Sequence, residues 1–163
     1  MTTKITFDTF ETFHEDTDEP ITSFAGKWEF LSNFSQAKVK LDGADYSTVE
    51  AAYQAAKTVN KKERTPIRNA DTPAKAKQLG KLVTIRPDWK DIKLSVMEEL
   101  LRQKFAPFKD DYFKLLQTHD RELIEGNTWH DTFWGVCNGK GNNHLGLLLM
   151  RIRNEYFHWS CLK

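Results

Sequence analysis

The chain predicts an α+β fold: one mainly helical domain with short antiparallel strands. Three observations carry this. Helical apolar spacing recurs through the second two thirds of the chain. An Asp42–Gly43 pair sits inside an alternating stretch, as in a tight hairpin. The 163 residues show no repeat, linker or low-complexity tract, so they suit one sizeable core.

Residues 1–20 mix Thr, Asp, Glu and Phe and read as an N-terminal arm, with a strand at Lys4–Phe10. The domain proper is placed at 21–163. Ile21–Phe34 suggests one or two short strands broken at Ala25–Gly26. Ala37–Tyr46 alternates around Asp42–Gly43 and reads as a hairpin. A helix opens at Val49 with Ser47 or Thr48 as N-cap and runs to about Asn60. Thr72–Pro73 is a cap followed by proline at the first helical position, opening a helix to Leu79 or Gly80. Arg86–Trp89 reads as a turn. Asp91–Phe105 sets Ile92, Val96, Leu100 and Leu101 on an amphipathic helix that Pro107 ends. Asp110–Gln117 predicts a short helix, Glu122–Glu125 a strand, and Leu145–Asn154 a closing helix.

Charged residues make up 29% and aromatics 12%, the composition of a globular rather than a disordered chain. A net charge of +1 gives no global electrostatic case for nucleic-acid binding and leaves only a local basic patch. No stretch approaches a membrane span, and the N-terminus lacks a signal-peptide pattern. Cys137 and Cys161 have no metal-ligand spacing, and the five histidines are scattered, so no metal site is expected. A reduced, cytoplasmic protein with free thiols is the simplest reading.

The most informative run is Val49–Lys57. At 100° per residue, Glu50, Tyr53, Gln54 and Lys57 fall on one stripe, with alanines at 51, 52, 55 and 56 between them. A polar stripe on an alanine-lined helix is either a solvated face or the floor of a site. A second constellation runs from Trp129 to Gly146 and includes Asp131, Trp134, Gly135, Gly139, Gly141 and Asn143. Gly and Asn before a helix either form turns or aim backbone N–H groups at an anion. Phe30–Phe34 is either a strand end or a pair of rings flanking Ser32 and Asn33, suited to stacking a base. Trp89 is either a core lid or a stacking wall.

In this order, the segments resemble the YbiA-like N-glycosidase family, also called NADAR (NAD and ADP-ribose associated). The resemblance runs from about Phe24 to Tyr156. It rests on Ser32-Asn33-Phe34; Thr48, Glu50, Gln54 and Lys57; Arg86 and Trp89; Asp131, Trp134 and Gly135; Gly139, Gly141, Asn143, Leu145 and Gly146; and Leu149, Met150 and Arg151. Ala51-Ala52-Tyr53 stands where many relatives have His-Tyr-Phe, and Val136-Cys137-Asn138 where others have more glycine or an acid. Both departures touch the expected pocket.

The resemblance implies a YbiA-like fold and hydrolysis of an N-glycosidic bond between a ribose C1 and an exocyclic base amine. The favoured substrate is an ADP-ribosyl adduct on guanine in nucleic acid. A ribosylamino-pyrimidine of riboflavin synthesis is the alternative, and a non-catalytic ADP-ribose or nucleotide reader is a further one. Glu50 is then the acid–base carboxylate and Lys57 an amine that attacks C1, while Asp131 holds a ribose hydroxyl or water. Trp89 and Trp134 sandwich the base, Asn33 and Phe34 line it, and Tyr53 and Gln54 complete the floor. Gly139, Gly141 and Asn143 cradle the phosphates, and Gly135 is a further substrate-binding position. Arg151 is expected to be a structural ion-pair partner. Neither a cofactor nor a metal is implied.

Overall fold

The computed structural model describes residues 18–160. The strand expected at Lys4–Phe10 and Cys161 lie outside the described residues. Strands β1 (Val39–Leu41) and β2 (Ala44–Tyr46) form the expected antiparallel hairpin, registered Val39 to Tyr46. Its two-residue turn needs left-handed backbone, which Asp42 (φ 47°) and Gly43 (φ 79°) adopt.

Six helices follow: α1 (Val49–Ala56), α2 (Lys61–Arg68), α3 (Pro73–Leu79), α4 (Trp89–Lys104), α5 (Asp110–Leu116) and α6 (His144–Ser160). The middle of the fold is α1. All its residues are buried, and its alanines let α2, α3 and α4 approach closely. Thr48 caps α1, its hydroxyl accepting from the Ala51 N–H at 3.1 Å. The apolar core gathers Leu31, Val39, Met97, Leu101, Leu123 and Leu149, among others, each fully or almost fully buried. Each such side chain contributes about 1.5–3 kcal/mol of burial.

The structure corrects four expectations. Gly26–Leu31 is a 3-10 helix, not a strand. Trp28 and Phe30 look like strand alternation, yet their rings pack 6.2 Å apart and Phe30 and Leu31 together enter the core. The first helix stops at Ala56 rather than Asn60, because the Asn60 side chain caps α2 by accepting from the Lys62 N–H at 3.0 Å. Helix α2 itself went unpredicted: it is almost wholly polar, buries only Ile67 and contains Pro66. Glu122–Glu125 is not a strand; Leu123 makes a single parallel bridge with Ile21. The last strand pair, β3 (Gly126–Asn127) with β4 (Val136–Cys137), is parallel rather than antiparallel. The loop between these two-residue strands turns back on itself, with His130 at φ 65° and the Asp131 carboxylate accepting from the Phe133 and Trp134 N–H groups.

Candidate active site

The polar stripe of α1 is the floor of a cavity rather than a solvated face. Glu50, Tyr53, Gln54 and Lys57 all line a hollow of about 890 Å³, and Glu50 is only 6% exposed. That volume suits a nucleotide-sized ligand. The walls come from Ser32–Phe34, from α4 through Trp89, Lys93 and Met97, and from the segment carrying Glu125, Trp129, Asp131 and Trp134. A hollow of about 820 Å³ beside the hairpin is comparably large, so size does not select the site. There Asp45 is already met by Lys38 at 3.4 Å and Lys40 at 3.6 Å on an open surface.

Local structure fixes the reactive groups. Gln54 Nε2 donates to Glu50 Oε1 at 2.8 Å, one helical turn away. Gly80 makes room for that amide, since a Cβ there would collide with Gln54 Oε1. The Glu50 N–H donates to the Asn33 carbonyl at 3.0 Å, joining the Ser32–Phe34 loop to α1. The loop is held from behind by Lys104, almost fully buried, whose Nζ donates to the Ser32 carbonyl at 2.7 Å and to Ser35 Oγ at 2.6 Å.

The electrostatics are those of a dry site. Burial raises the Glu50 carboxyl; its hydrogen bond from Gln54 and the charges of Lys77 and Lys57 only partly offset this. Burial lowers the Lys57 amine; the Glu50 charge opposes the change, and Lys77 and Lys81 reinforce it. An acid moved up and an amine moved down, in one cavity, mark a site built for proton transfer. Glu125 goes further: burial, then the Asp131 charge, raise its carboxyl to about 7, with Lys77 opposing and Glu50 adding to the rise.

Among the described residues, four buried side-chain polar atoms lack a hydrogen-bond partner in the protein. Three of them, Asn33 Oδ1, Gln54 Oε1 and Glu125 Oε2, belong to residues lining this cavity. Buried polar atoms are normally satisfied, so this clustering indicates a surface made to meet ligand donors.

The predicted residues divide into two groups. Glu50, Lys57, Asp131, Asn33, Phe34, Tyr53, Gln54, Trp89 and Trp134 converge on the cavity. Gly135, Gly139, Gly141 and Asn143 are not part of its lining. Asn143 cannot offer its amide to phosphate, because Oδ1 accepts from the Glu125 N–H at 3.0 Å and Nδ2 donates to the Leu123 carbonyl at 2.8 Å. Gly135 and Gly141 serve close approach: a Cβ on either would strike a backbone carbonyl, of Glu125 and Gly135 respectively. Trp89 and Trp134 do not form an empty sandwich. Both pack on the Tyr53 ring, with centroids at 5.0 and 5.4 Å.

Sequence reading missed Glu125, Lys77, Lys81 and Lys93, and gave Trp129, the first residue of the second constellation, no role. The only local trace of Glu125 was an acid after an apolar pair, Leu123–Ile124. The lysines line the cavity from α3, its C-terminal turn and α4, and nothing in their spacing announces that.

A shielded carboxylate on α1 and a desolvated amine at its C-terminal cap, beneath one hollow edged by lysines and rings, form a site equipped for acid–base chemistry. The chain belongs to the NADAR domain family, whose model matches residues 12–156. It is 37% identical over 128 residues to N-glycosidase YbiA of Shigella flexneri serotype 5b (strain 8401), covering 77% of this chain and 79% of that protein. It is 34% identical over 129 residues to riboflavin biosynthesis protein VVA0006 of Vibrio vulnificus (strain YJ016), covering 77% of this chain and 35% of that protein. The NMR structure of the E. coli protein YbiA superposes with a TM-score of 0.79 at 31% identity, covering 93% of this chain and 92% of that one.

Proposed function

We propose that the chain is an N-glycosidase that hydrolyses the bond between a ribose C1 and an exocyclic base amine, with ADP-ribose on guanine in nucleic acid as its favoured substrate. The observation that carries this reading is the placement of Glu50 and Lys57 in one shielded cavity, their proton affinities moved in opposite directions. A reader of ADP-ribose needs neither group. The name N-glycosidase YbiA, borne by a relative of almost the same length, supports the reaction class.

A glycosylamine opens to an imine at C1. The Lys57 amine adds to that carbon, Glu50 passing the proton that its nitrogen sheds to the base nitrogen. The base then departs as a free amine and leaves a Lys57–C1 imine. Water adds to C1, Lys57 is released, and the sugar closes as a hemiacetal. The sum is water added across the C1–N bond. Lys77, Lys81 and Lys93 at the cavity edge supply positive charge for a diphosphate. Phe34, 37% exposed, and Trp129, 59% exposed, offer rings on which bases stack, at about 1–3 kcal/mol each.

The test is incubation with an oligodeoxynucleotide carrying ADP-ribosyl guanine, in competition with a ribosylamino-pyrimidine, followed by mass spectrometry. Release of ADP-ribose and unmodified guanine is expected, together with a borohydride-trapped adduct on Lys57. Turnover of the pyrimidine alone would shift the substrate to the riboflavin-synthesis alternative, the pathway for which the Vibrio relative is named. Rapid turnover with no adduct would replace the lysine route by direct attack of water.

A further inference from the structure

A second shielded carboxyl lines the cavity from the segment entering β3. Glu125 has its Oε2 buried and without a partner in the protein. Its backbone is held at both ends: the N–H donates to Asn143 Oδ1 at 3.0 Å, and the carbonyl accepts from the Val136 N–H at 2.9 Å. Asn143 is itself anchored on the Leu123 carbonyl. Gly135 and Gly141 let these strands close up, since a Cβ on Gly135 would meet the Glu125 carbonyl oxygen and one on Gly141 the Gly135 carbonyl oxygen. The glycine–asparagine run is therefore a brace behind Glu125. Glu125 thus lines the hollow from a braced backbone, with one buried carboxyl oxygen left unsatisfied by the protein and open to a ligand donor.

We propose that Glu125 is a catalytic residue, the carboxylic acid that protonates the base nitrogen as that nitrogen leaves C1. The inference rests on the N-glycosidase reading above. The two carboxyls then divide the work. Glu50 lies on α1, which Lys57 caps at its C-terminal end, and serves the attacking amine, whereas Glu125 comes from a separate element and serves the leaving amine. As the C1–N bond breaks, its electron pair goes to nitrogen, which takes the Glu125 proton and departs as neutral NH₂. The Lys57 nitrogen lone pair completes the imine at C1. When water then adds to C1, the Glu125 carboxylate takes one of its protons and is ready for the next cycle.

The environment suits this role. Facing Glu125 are Asp131 from the following loop, Lys77 from α3 and Glu50 from α1; together with burial they place its carboxyl at about 7. An acid must be protonated to donate, so the rate falls as pH rises through that value.

The experiment compares wild type with Glu125→Gln on the ADP-ribosyl guanine oligodeoxynucleotide, and on the ribosylamino-pyrimidine if wild type leaves the first intact. Failure of wild type on the oligodeoxynucleotide counts against the substrate reading, not against Glu125. The expected result is a loss of about 100-fold in kcat, ADP-ribose affinity within about threefold of wild type, and disappearance of the pH limb near 7 from the residual rate. A loss under about tenfold, or a loss that leaves the limb in place, overturns the proposal. A substrate-free measurement stands beside it: NMR titration of carboxyl-labelled glutamate in the wild-type protein. A Glu125 midpoint near 7 supports the role, and one below about 5.5 overturns it even if the variant fails to fold.

Discussion

Charged side chains are handled in opposite ways in the cavity and on the α4–α6 surface. On the surface, Arg102 grips Glu98 and Glu155 at 2.7 Å each, and Arg151 also pairs with Glu98, as expected of it. Those hydrogen bonds, Glu155 first, raise Arg102's hold on its proton, and Arg102 in turn lowers the Glu155 carboxyl. Arg102 and Glu155 both become more firmly charged. In the cavity the shifts run the other way. Glu50 has a neutral amide for its hydrogen bond, Glu125 leaves an oxygen unpartnered, and Lys57 lies 5.8 Å from the Tyr53 ring. Burial weakens the charged form of all three. Ion pairing on an open surface consolidates the fold; desolvation without an ion pair keeps a proton negotiable.

The sharpest way to break this contrast is Glu50→Gln. Turnover is expected to fall by about 10²–10⁴ while the melting temperature at pH 8 stays level or rises, because the neutral amide is easier to bury and still accepts from Gln54. A variant that melts well below wild type would place Glu50 among the structural charges instead.

The next effect is on stability against pH. A carboxyl raised from 4.5 to about 7 keeps its proton in the fold after the unfolded chain has lost its own. Stability should therefore fall as pH rises from about 4.5 to 7 and level off above. Urea midpoints at pH 5 and 7.5 should drop more for wild type than for Glu125→Gln. Parallel drops in the two proteins would mean that Glu125 is not shielded from water.

The smallest effect belongs to the surface. Arg102→Ala should cost about 1 kcal/mol or less in a urea titration and leave turnover unchanged, with the loss shrinking in 1 M salt. A larger, salt-insensitive loss would show that the α4–α6 network is a buried support rather than a solvated one.

What could be read beforehand was local. The α1 stripe repeats within one helix, the Asp42–Gly43 turn lies within two residues, and Thr72–Pro73 announces α3 by itself. What stayed hidden depends on partners far along the chain. Glu125 acquires its setting from Asn143 and Val136, and the glycines take their meaning from carbonyls that only the fold brings near. Read alone, Gly139–Asn143 suggested a cradle for phosphate. The Asn143 amide is already engaged at both ends, and the positive charge at the cavity edge is that of Lys77, Lys81 and Lys93. Trp89 and Trp134, expected to sandwich a base, line the cavity, but the ring they clasp is the protein's own.

The hydrogen bond from the Glu50 amide to the Asn33 carbonyl has an evolutionary corollary. The Ser32–Phe34 loop and the helix that carries Glu50 are tethered backbone to backbone, with Lys104 pinning the loop's far side. A lineage that reshapes residues 32–35 also displaces the Glu50 carboxylate, so a change to this wall of the cavity and a change to its floor arrive together and selection must tune the two as one.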